Sequence, residues 1–584
     1  MVIQNKEAFI QHKIADVPLV CERNFSEQFL EALWTNSKHN PTRPAFINAH
    51  NPQDRVTYAE LYNASMSVAA FVESRGLQKG DVCCLILPSN WEYMASFAGI
   101  TYAGGIITGT SMLFTSFELA RQINDSGSKI VFCSDKKIAD VVEAIKSCPK
   151  VELVVVVKPY KAPKEYLPLG FVDFRTVLDT PPSMKSLPKI DSKDLLMLPY
   201  SSGTTGIPKG TMITHQNFGT MMNAYIWYNR KNVYEHILPG FEPRNEHHLL
   251  ILPFYHIFGA GIVTSALMEG FTVVGMQQFM LDLYCQCIQD YKIKQLYFVP
   301  PVAIALAKSP IVDRYDLSSL NNTCSGAAPL GDSVCQELKQ RLKLKYVGQG
   351  YGLTEISMAG YLPNTARESF SACGYLVPTL EMKIIDIQTG QALPPHKKGE
   401  VCFRGPTIFK GYLNRPRATA ETIDNEGWMH TGDVGYLDEL GQLFLVDRIK
   451  ELIKVKGFQV APAELEDVLL SHPMIADCAV IGVLHPKLGE VPKAFVVKKD
   501  DKLTEKGCHR FHSRQIDRLQ AFERRCGIHP SSSEKSSRQN TETRTPRTRK
   551  GSTLINFYGE LLYKNKHYWR FLCMSCGEID KDTT

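Results

Sequence analysis

The sequence predicts an α/β protein. It reads as a large N-terminal domain of layered α/β subdomains with a small β-barrel subdomain, then a small α+β C-terminal domain that is incomplete. Three observations predict this. Apolar runs of strand length alternate with amphipathic stretches for about 440 residues, the pattern of largely parallel sheets covered by helices. After Asp447 the pattern changes to "RIKELIKVKGFQVAPAELEDVLLSHP", a charged strand pair, a Gly/Pro turn and a helix. From Gly507 periodicity stops, and "RRCGIHPSSSEKSSRQNTETRTPRTRKGS" is too polar to bury an ordering core. A chain of 584 residues exceeds a single core. The expected spans are 1–449, 450–506 and 507–584.

The elements follow in order. "YAELYNASMSVAAFVESRG" (Tyr58–Gly76) has helical spacing and ends on glycine. "DVCCLILPS" (Asp81–Ser89), "KIVFCSD" (Lys129–Asp135) and "VELVVVVK" (Val151–Lys158) read as buried strands. Leu252–Met276 is the longest apolar stretch, but Pro253, His256 and Glu269 interrupt it, so it reads as core and no membrane span is expected. "GEVCFRGPTIFKGYLN" (Gly399–Asn414) reads as strand and turn.

Composition narrows the function. Hydrophobic residues make up 44% and charged residues 22%, ordinary for a soluble globular chain. The net charge of +6 belongs to the tail: Gly507–Thr584 carries 15 Lys/Arg against 8 Asp/Glu, leaving the first 506 residues at −1. That body has no electrostatic footprint for nucleic acid. The N-terminal residues lack the apolar segment of a secretory signal. The 16 cysteines have no framework spacing, and the lone pair Cys573/Cys576 does not make a zinc site.

One loop stands out. "LPYSSGTTGIPKGTMITHQN" (Leu198–Asn217) packs hydroxyls and glycines around Lys209. Glycines free backbone N–H groups to face an anion and hydroxyls add donors, so a phosphate grip fits. It is no Walker A loop, because Pro208 precedes the lysine and Gly210 follows it. Further motifs are ambiguous singly. In "YGLTE", Thr354 and Glu355 also suit a helix start; His256 in "LPFYHIFG" also suits a core histidine; Asp433 in "TGD" also suits a turn.

In order, these motifs resemble the adenylate-forming enzyme superfamily of acyl-CoA synthetases, 4-coumarate–CoA ligases and beetle luciferases. The resemblance runs from about Phe25 to about Lys506 and includes "SGAAPLG" (Ser325–Gly331), "GQGYGLTE" (Gly348–Glu355) and "DRIKELIKVKGFQVAPAELE". It implies ATP, Mg²⁺ and coenzyme A as cofactors and a small-molecule carboxylic acid as substrate. It implies that Ser201, Ser202, Gly203, Thr204, Thr205, Gly206 and Lys209 hold the leaving pyrophosphate. Glu355 is implied as the Mg²⁺ ligand and Thr354 as a donor to the α-phosphate. Gly326, Ala327, Ala328, Gln349, Gly350, Tyr351 and Gly352 wall the adenine and acyl carbonyl, and Asp433 with Arg448 holds the ribose. Tyr255, His256, Phe258, Met358 and Ala359 line an apolar acyl pocket, with His256 near the carboxylate. Ala327 stands where many relatives have glycine. Lys450 is the implied hinge, with Lys456 and Gly457 on the coenzyme A side. A luciferase-like oxygenase and a nucleotide-binding pseudoenzyme are the alternatives.

The family's closing segment, Pro-x-x-x-x-Gly-Lys, whose lysine serves adenylation, is missing. Gly507–His512 can be encoded GGA TGT CAT CGA TTT CAT, which one base later reads Asp-Val-Ile-Asp-Phe. Arg538–Arg544 can be encoded AGG CAA AAT ACT GAA ACG AGA, which one base later reads Gly-Lys-Ile-Leu-Lys-Arg. A one-base displacement near Lys506 explains both. Many relatives end in Ser-Lys-Leu, a peroxisomal address; this chain ends "KDTT", and a cytoplasmic location is expected.

Overall fold

The computed structural model describes residues 2–4, 9–12, 18–159, 167–201, 208–455, 458–460, 462–470, 472, 474–485, 489–498 and 555–556. Ser202–Gly206, Lys456, Gly457, Cys573 and Cys576 lie outside these residues, as does all of 507–584 except Ile555–Asn556.

The chain divides into two units. The larger comprises residues 1–397, 401–431 and 437–444, and the smaller 398–400, 432–436 and 445–584. The division runs through strands Gly399–Arg404, Met429–Leu437 and Leu443–Arg448.

In the larger unit, a seven-stranded sheet has Val82–Ile86 at its centre, parallel to Ile106–Gly109 and Ser128–Ser134. Leu153–Val157 and Phe171–Asp173 continue it on one side, Leu195–Met197 and Ile213–Thr214 on the other. Every residue of Val82–Ile86 is buried, as expected for a strand covered on both faces. Helix Tyr58–Ser74 begins at a capping box between Thr57 and Glu60, and packs on helix Trp91–Tyr102. Gly99 allows the close approach, since a Cβ there would lie 2.3 Å from the Ser65 carbonyl oxygen.

A four-stranded sheet joins His247–Leu250, Thr272–Gly275, Pro44–Asn48 and Asn51–Thr57. The apolar stretch Leu252–Met276 is core, as expected: it forms helix Ile257–Glu269 and the whole of strand Thr272–Gly275. No helix among the described residues is long and apolar enough to cross a membrane. A third sheet is wholly parallel: Gln295–Phe298, Asn322–Ser325 and Tyr346–Gln349, with Ser325 opposite Gln349.

The smaller unit holds hairpin Ile453–Val455/Phe458–Val460, helix Pro462–Leu470, and the long antiparallel pair Ile475–His485/Gly489–Lys498. Among the described residues its core holds Ile453, Val460, Leu469, Ile475, Val480 and Val496. Ile555–Asn556 pairs with Gly489–Lys498.

Candidate active site

The Leu198–Asn217 segment leaves the seven-stranded sheet after Met197. Its two limbs pair antiparallel, Tyr200 with Gly210 and Ser201 with Lys209. The Tyr200 ring lies against Gly210, where a Cβ would sit 3.1 Å from Cζ, and its hydroxyl donates to Asp125 at 2.8 Å. Ser201 and Lys209 therefore stand side by side at the mouth of the loop.

Two remote segments meet the loop there, both in the larger unit. Glu355 lies in a single 3₁₀ turn, Thr354–Ile356, which Ser357 ends at φ 63°. Its Oε1 accepts two hydroxyls, from Ser201 at 3.2 Å and Tyr412 at 2.8 Å. Its Oε2 has no hydrogen-bond partner among the described residues. The Lys209 ammonium lies 4.9 Å from the centre of the Tyr412 ring. Carboxylate and hydroxyl oxygens together form a donor set that suits a hard divalent cation.

The neighbouring motifs leave adjacent parallel strands. "SGAAPLG" follows Asn322–Ser325, and "GQGYGLTE" follows Tyr346–Gln349. Ligands of parallel α/β sheets bind at these carboxyl ends. Gln349 does not face outward: its amide donates to the Leu330 carbonyl at 2.8 Å and accepts from the Leu330 N–H at 2.8 Å. The side chain locks one motif to the other, leaving backbone to face a ligand. Ala327 has φ 70°, a left-handed conformation that favours glycine. Gly352 admits no side chain, since a Cβ would lie 1.7 Å from the Met358 carbonyl oxygen.

His256 caps helix Ile257–Glu269, its Nδ1 accepting the Phe258 N–H at 3.2 Å. It is exposed, not a core histidine. Desolvation by nearby protein lowers its pKa; because Nδ1 accepts, the neutral ring carries its proton on Nε2. Phe258 and Met358 share one neighbourhood on that helix. Phe258 lies over Gly326, and the Met358 sulfur occupies the space where a Gly261 Cβ would sit. Ala359 is buried beside Gly352. Tyr255 packs against Gly109 and borders a void of about 10 Å³ with Tyr93 and Met197.

In the smaller unit, Asp433 is buried and pairs with Arg448 at 3.2 Å. Gly432 turns the chain at φ 73° and accepts the Ile449 N–H at 2.8 Å. Asp433 lies within strand Met429–Leu437, and Lys450 in the turn after Arg448. Sequence reasoning missed Tyr412, whose segment it read only as strand and turn.

The AMP-binding enzyme model matches residues 33–413, and the AMP-binding enzyme C-terminal domain model matches residues 464–526. The chain belongs to the AMP-binding enzyme family. These are the adenylate-forming enzymes that the motifs resemble. The second match runs past Lys506 and stops short of Arg538. The chain is 39% identical to 4-coumarate–CoA ligase 2 of Petroselinum crispum over 467 residues, covering 79% of this chain and 83% of that one. It is 37% identical to 4-coumarate–CoA ligase of Vanilla planifolia over 526 residues, covering 88% and 91%. Among solved structures, ATP-bound MatB from Rhodopseudomonas palustris superposes with a TM-score of 0.74 at 25% identity, covering 85% and 93%. The anthranilate CoA ligase AuaEII with anthranoyl-AMP shares the fold, with a TM-score of 0.74 at 21% identity over 87% and 92%.

Proposed function

We propose that the chain is an ATP-dependent carboxylic acid–CoA ligase scaffold for an apolar acid, and that as written it is impaired in its first half-reaction. The observation that carries the ligase reading is the meeting of Ser201, Lys209 and Glu355 at the mouth of a Gly/Thr-rich loop in a chain of this family. In the first step a substrate carboxylate oxygen bonds to the α-phosphorus of ATP, and the α–β bridging bond breaks to release pyrophosphate. In the second the coenzyme A sulfur bonds to the acyl carbon, and AMP leaves. Such transfers are mostly positioning and charge stabilisation. Ser201 to Lys209 hold the departing phosphates, and Thr354 donates to the α-phosphate. Glu355 would hold Mg²⁺, which would offset charge on the phosphate oxygens. Asp433 accepts from the ribose hydroxyls, with Arg448 assisting. Gln349–Gly352 and Gly326–Ala328 wall the adenine and acyl carbonyl. His256 lies near the carboxylate, Phe258 and Met358 against the acyl body. Lys450 is the hinge, with Lys456 and Gly457 toward coenzyme A.

The impairment rests on the missing lysine. The displaced frame supplies more than its Gly-Lys pair. If Ser533 is encoded TCC, the shifted codon completed by Glu534 is CCG, proline. Four shifted codons then separate that proline from the Gly-Lys that begins at Arg538. So encoded, the displaced frame would carry the whole Pro-x-x-x-x-Gly-Lys signature at its own spacing. The test is acid-dependent pyrophosphate exchange across aryl and fatty acids, with the 584-residue chain beside one whose frame is restored after Lys506. Exchange that rises by orders of magnitude on restoration is expected. Equal exchange by both chains refutes the impairment; no exchange by either refutes the ligase reading.

A further inference from the structure

Tyr412 touches both charged groups of the site, and neither motif reading nor family resemblance assigned it a role. Its phenol donates to Glu355 Oε1 at 2.8 Å. Its ring face lies 4.9 Å from the Lys209 ammonium. Several backbone contacts fix it there. Tyr412 bridges Thr211 antiparallel, the Met212 N–H donates to the Gly411 carbonyl at 2.9 Å, and the Leu413 N–H donates to the Gly210 carbonyl at 2.8 Å. Residues 410–413 thus run beside the returning limb of the loop. Gly411 makes the turn at φ 138°, where a Cβ would strike Thr419 at 2.7 Å. The Tyr412 N–H donates to the Thr419 hydroxyl at 2.9 Å. Phe409 closes on the ring edge, centroids 4.8 Å apart. The residue is buried, so the phenol is held by packing.

We propose that Tyr412 is a positioning residue that couples the two charges of the site: its hydroxyl fixes Glu355 so that Oε2 faces a divalent cation, and its ring seats Lys209. The assignment rests on the ligase reading, because it supposes that Glu355 and Lys209 serve a metal–nucleotide complex. The two contacts act separately. Partners that orient a metal ligand are commonly worth 10–100-fold in metal affinity. The ring face attracts a cation whether or not it carries a hydroxyl. Removing the hydroxyl alone therefore acts on the metal, while removing the ring acts on the lysine as well.

Calorimetric titration of ATP into the 584-residue chain at a series of Mg²⁺ concentrations tests this. Tyr412→Phe should raise the Mg²⁺ needed for half-maximal ATP binding by about tenfold. At saturating Mg²⁺ its ATP affinity should stay within about twofold of wild type, because the ring still faces Lys209. Tyr412→Leu should lose affinity at saturating Mg²⁺ too. Combining Tyr412→Phe with Glu355→Gln should be no worse than Glu355→Gln alone, since the hydroxyl works on Mg²⁺ through that carboxylate. A purely structural tyrosine would lower thermal stability and leave the Mg²⁺ requirement unmoved. An unchanged requirement in Tyr412→Phe, beside a wild type that binds, overturns this assignment alone. A wild type that takes up no ATP at any Mg²⁺ concentration overturns it together with the ligase reading.

Discussion

Glu355→Gln separates charge from structure more cleanly than truncation does. Oε1 receives the Ser201 and Tyr412 hydroxyls, at 3.2 and 2.8 Å. A glutamine carbonyl oxygen can accept both, so the side chain keeps its place. What changes is the charge, and Oε2 becomes an NH₂ group that cannot bind a cation. On the stability side, two hydrogen bonds to a carboxylate become neutral ones. That costs about 1 kcal/mol each at most, and less here because Glu355 is only partly buried. On the function side, losing one charge contact that matters in the transition state costs about 3–4 kcal/mol, or a factor of 10²–10³. The assays are acid-dependent pyrophosphate exchange in the frame-restored chain and thermal melting of the same samples. Exchange should fall by two to three orders of magnitude with little change in melting. An unchanged exchange rate refutes the role assigned to Glu355. A large drop in melting temperature refutes the claim that its contribution is charge rather than structure.

Three further outcomes follow from the backbone and the core. Gly352→Ala places a Cβ 1.7 Å from the Met358 carbonyl oxygen and 3.0 Å from the Ala359 Cα, so backbone must move. A stability loss of about 1–3 kcal/mol with weakened ATP binding is expected by denaturant titration and calorimetry; unchanged values in both would contradict the geometry. Ala327→Gly relieves a residue at φ 70°, and should leave the protein unchanged or up to about 1 kcal/mol more stable. A clear loss in denaturant midpoint would show that the alanine is not strained. Glu92 is buried, with no partner for Oε2 among the described residues. Burial, and then the nearby Asp54 charge, push its carboxyl up to about 8. The folded protein then holds a proton that the unfolded chain releases near the ordinary carboxylate value. This contribution to stability is fully present below about pH 4.5 and fades as the pH rises through about 8. Glu92→Gln should flatten that slope, gaining more over wild type at pH 8 than at pH 5; parallel pH–stability curves would exclude it.

Much of the larger unit was legible because its signals are local. The buried strands Val82–Ile86, Ser128–Ser134 and Leu153–Val157 each lie within or overlap the apolar runs read from sequence. Helix Tyr58–Ser74 starts at a cap made by residues three apart. The loop before Lys209 was legible through glycine and hydroxyl chemistry, which is local too. Tyr412 was not. Its partners stand 57 and about 200 residues away, and neither spacing nor composition marks one tyrosine among 24. Gln349 was legible only as part of a motif: the bonds of its side chain to the Leu330 backbone could not be read along the chain. His256 was read against a core histidine, yet it caps a helix at the surface. A polar side chain's partner is a tertiary fact, and only a burial pattern or a backbone requirement can be read along the chain.

The charge balance of the site explains why the proposed lack of the adenylation lysine would matter. Among the described residues, the cation brought to Glu355 is Lys209, and it sits at the mouth of the loop proposed for the departing phosphates. Thr354 is neutral, and so are the Gly326–Ala328 backbone groups proposed near the reacting carbonyl. When a carboxylate adds to the α-phosphorus, two anions are forced together before pyrophosphate departs, so negative charge gathers at the α-phosphate. In the proposed mechanism a hard divalent cation and Lys209 would answer the charge on the leaving side. The attacking side needs a cation that reaches both the carboxylate and the α-phosphate. The second step makes no such demand, because the adenylate is already formed and its carboxylate charge is gone. A chain without that lysine is therefore expected to fail unevenly: slow to form adenylate, yet better able to pass a supplied acyl-adenylate to coenzyme A. Thioester formation from preformed acyl-adenylate, measured beside exchange in the same preparation, separates this from general misfolding, which would lower both together.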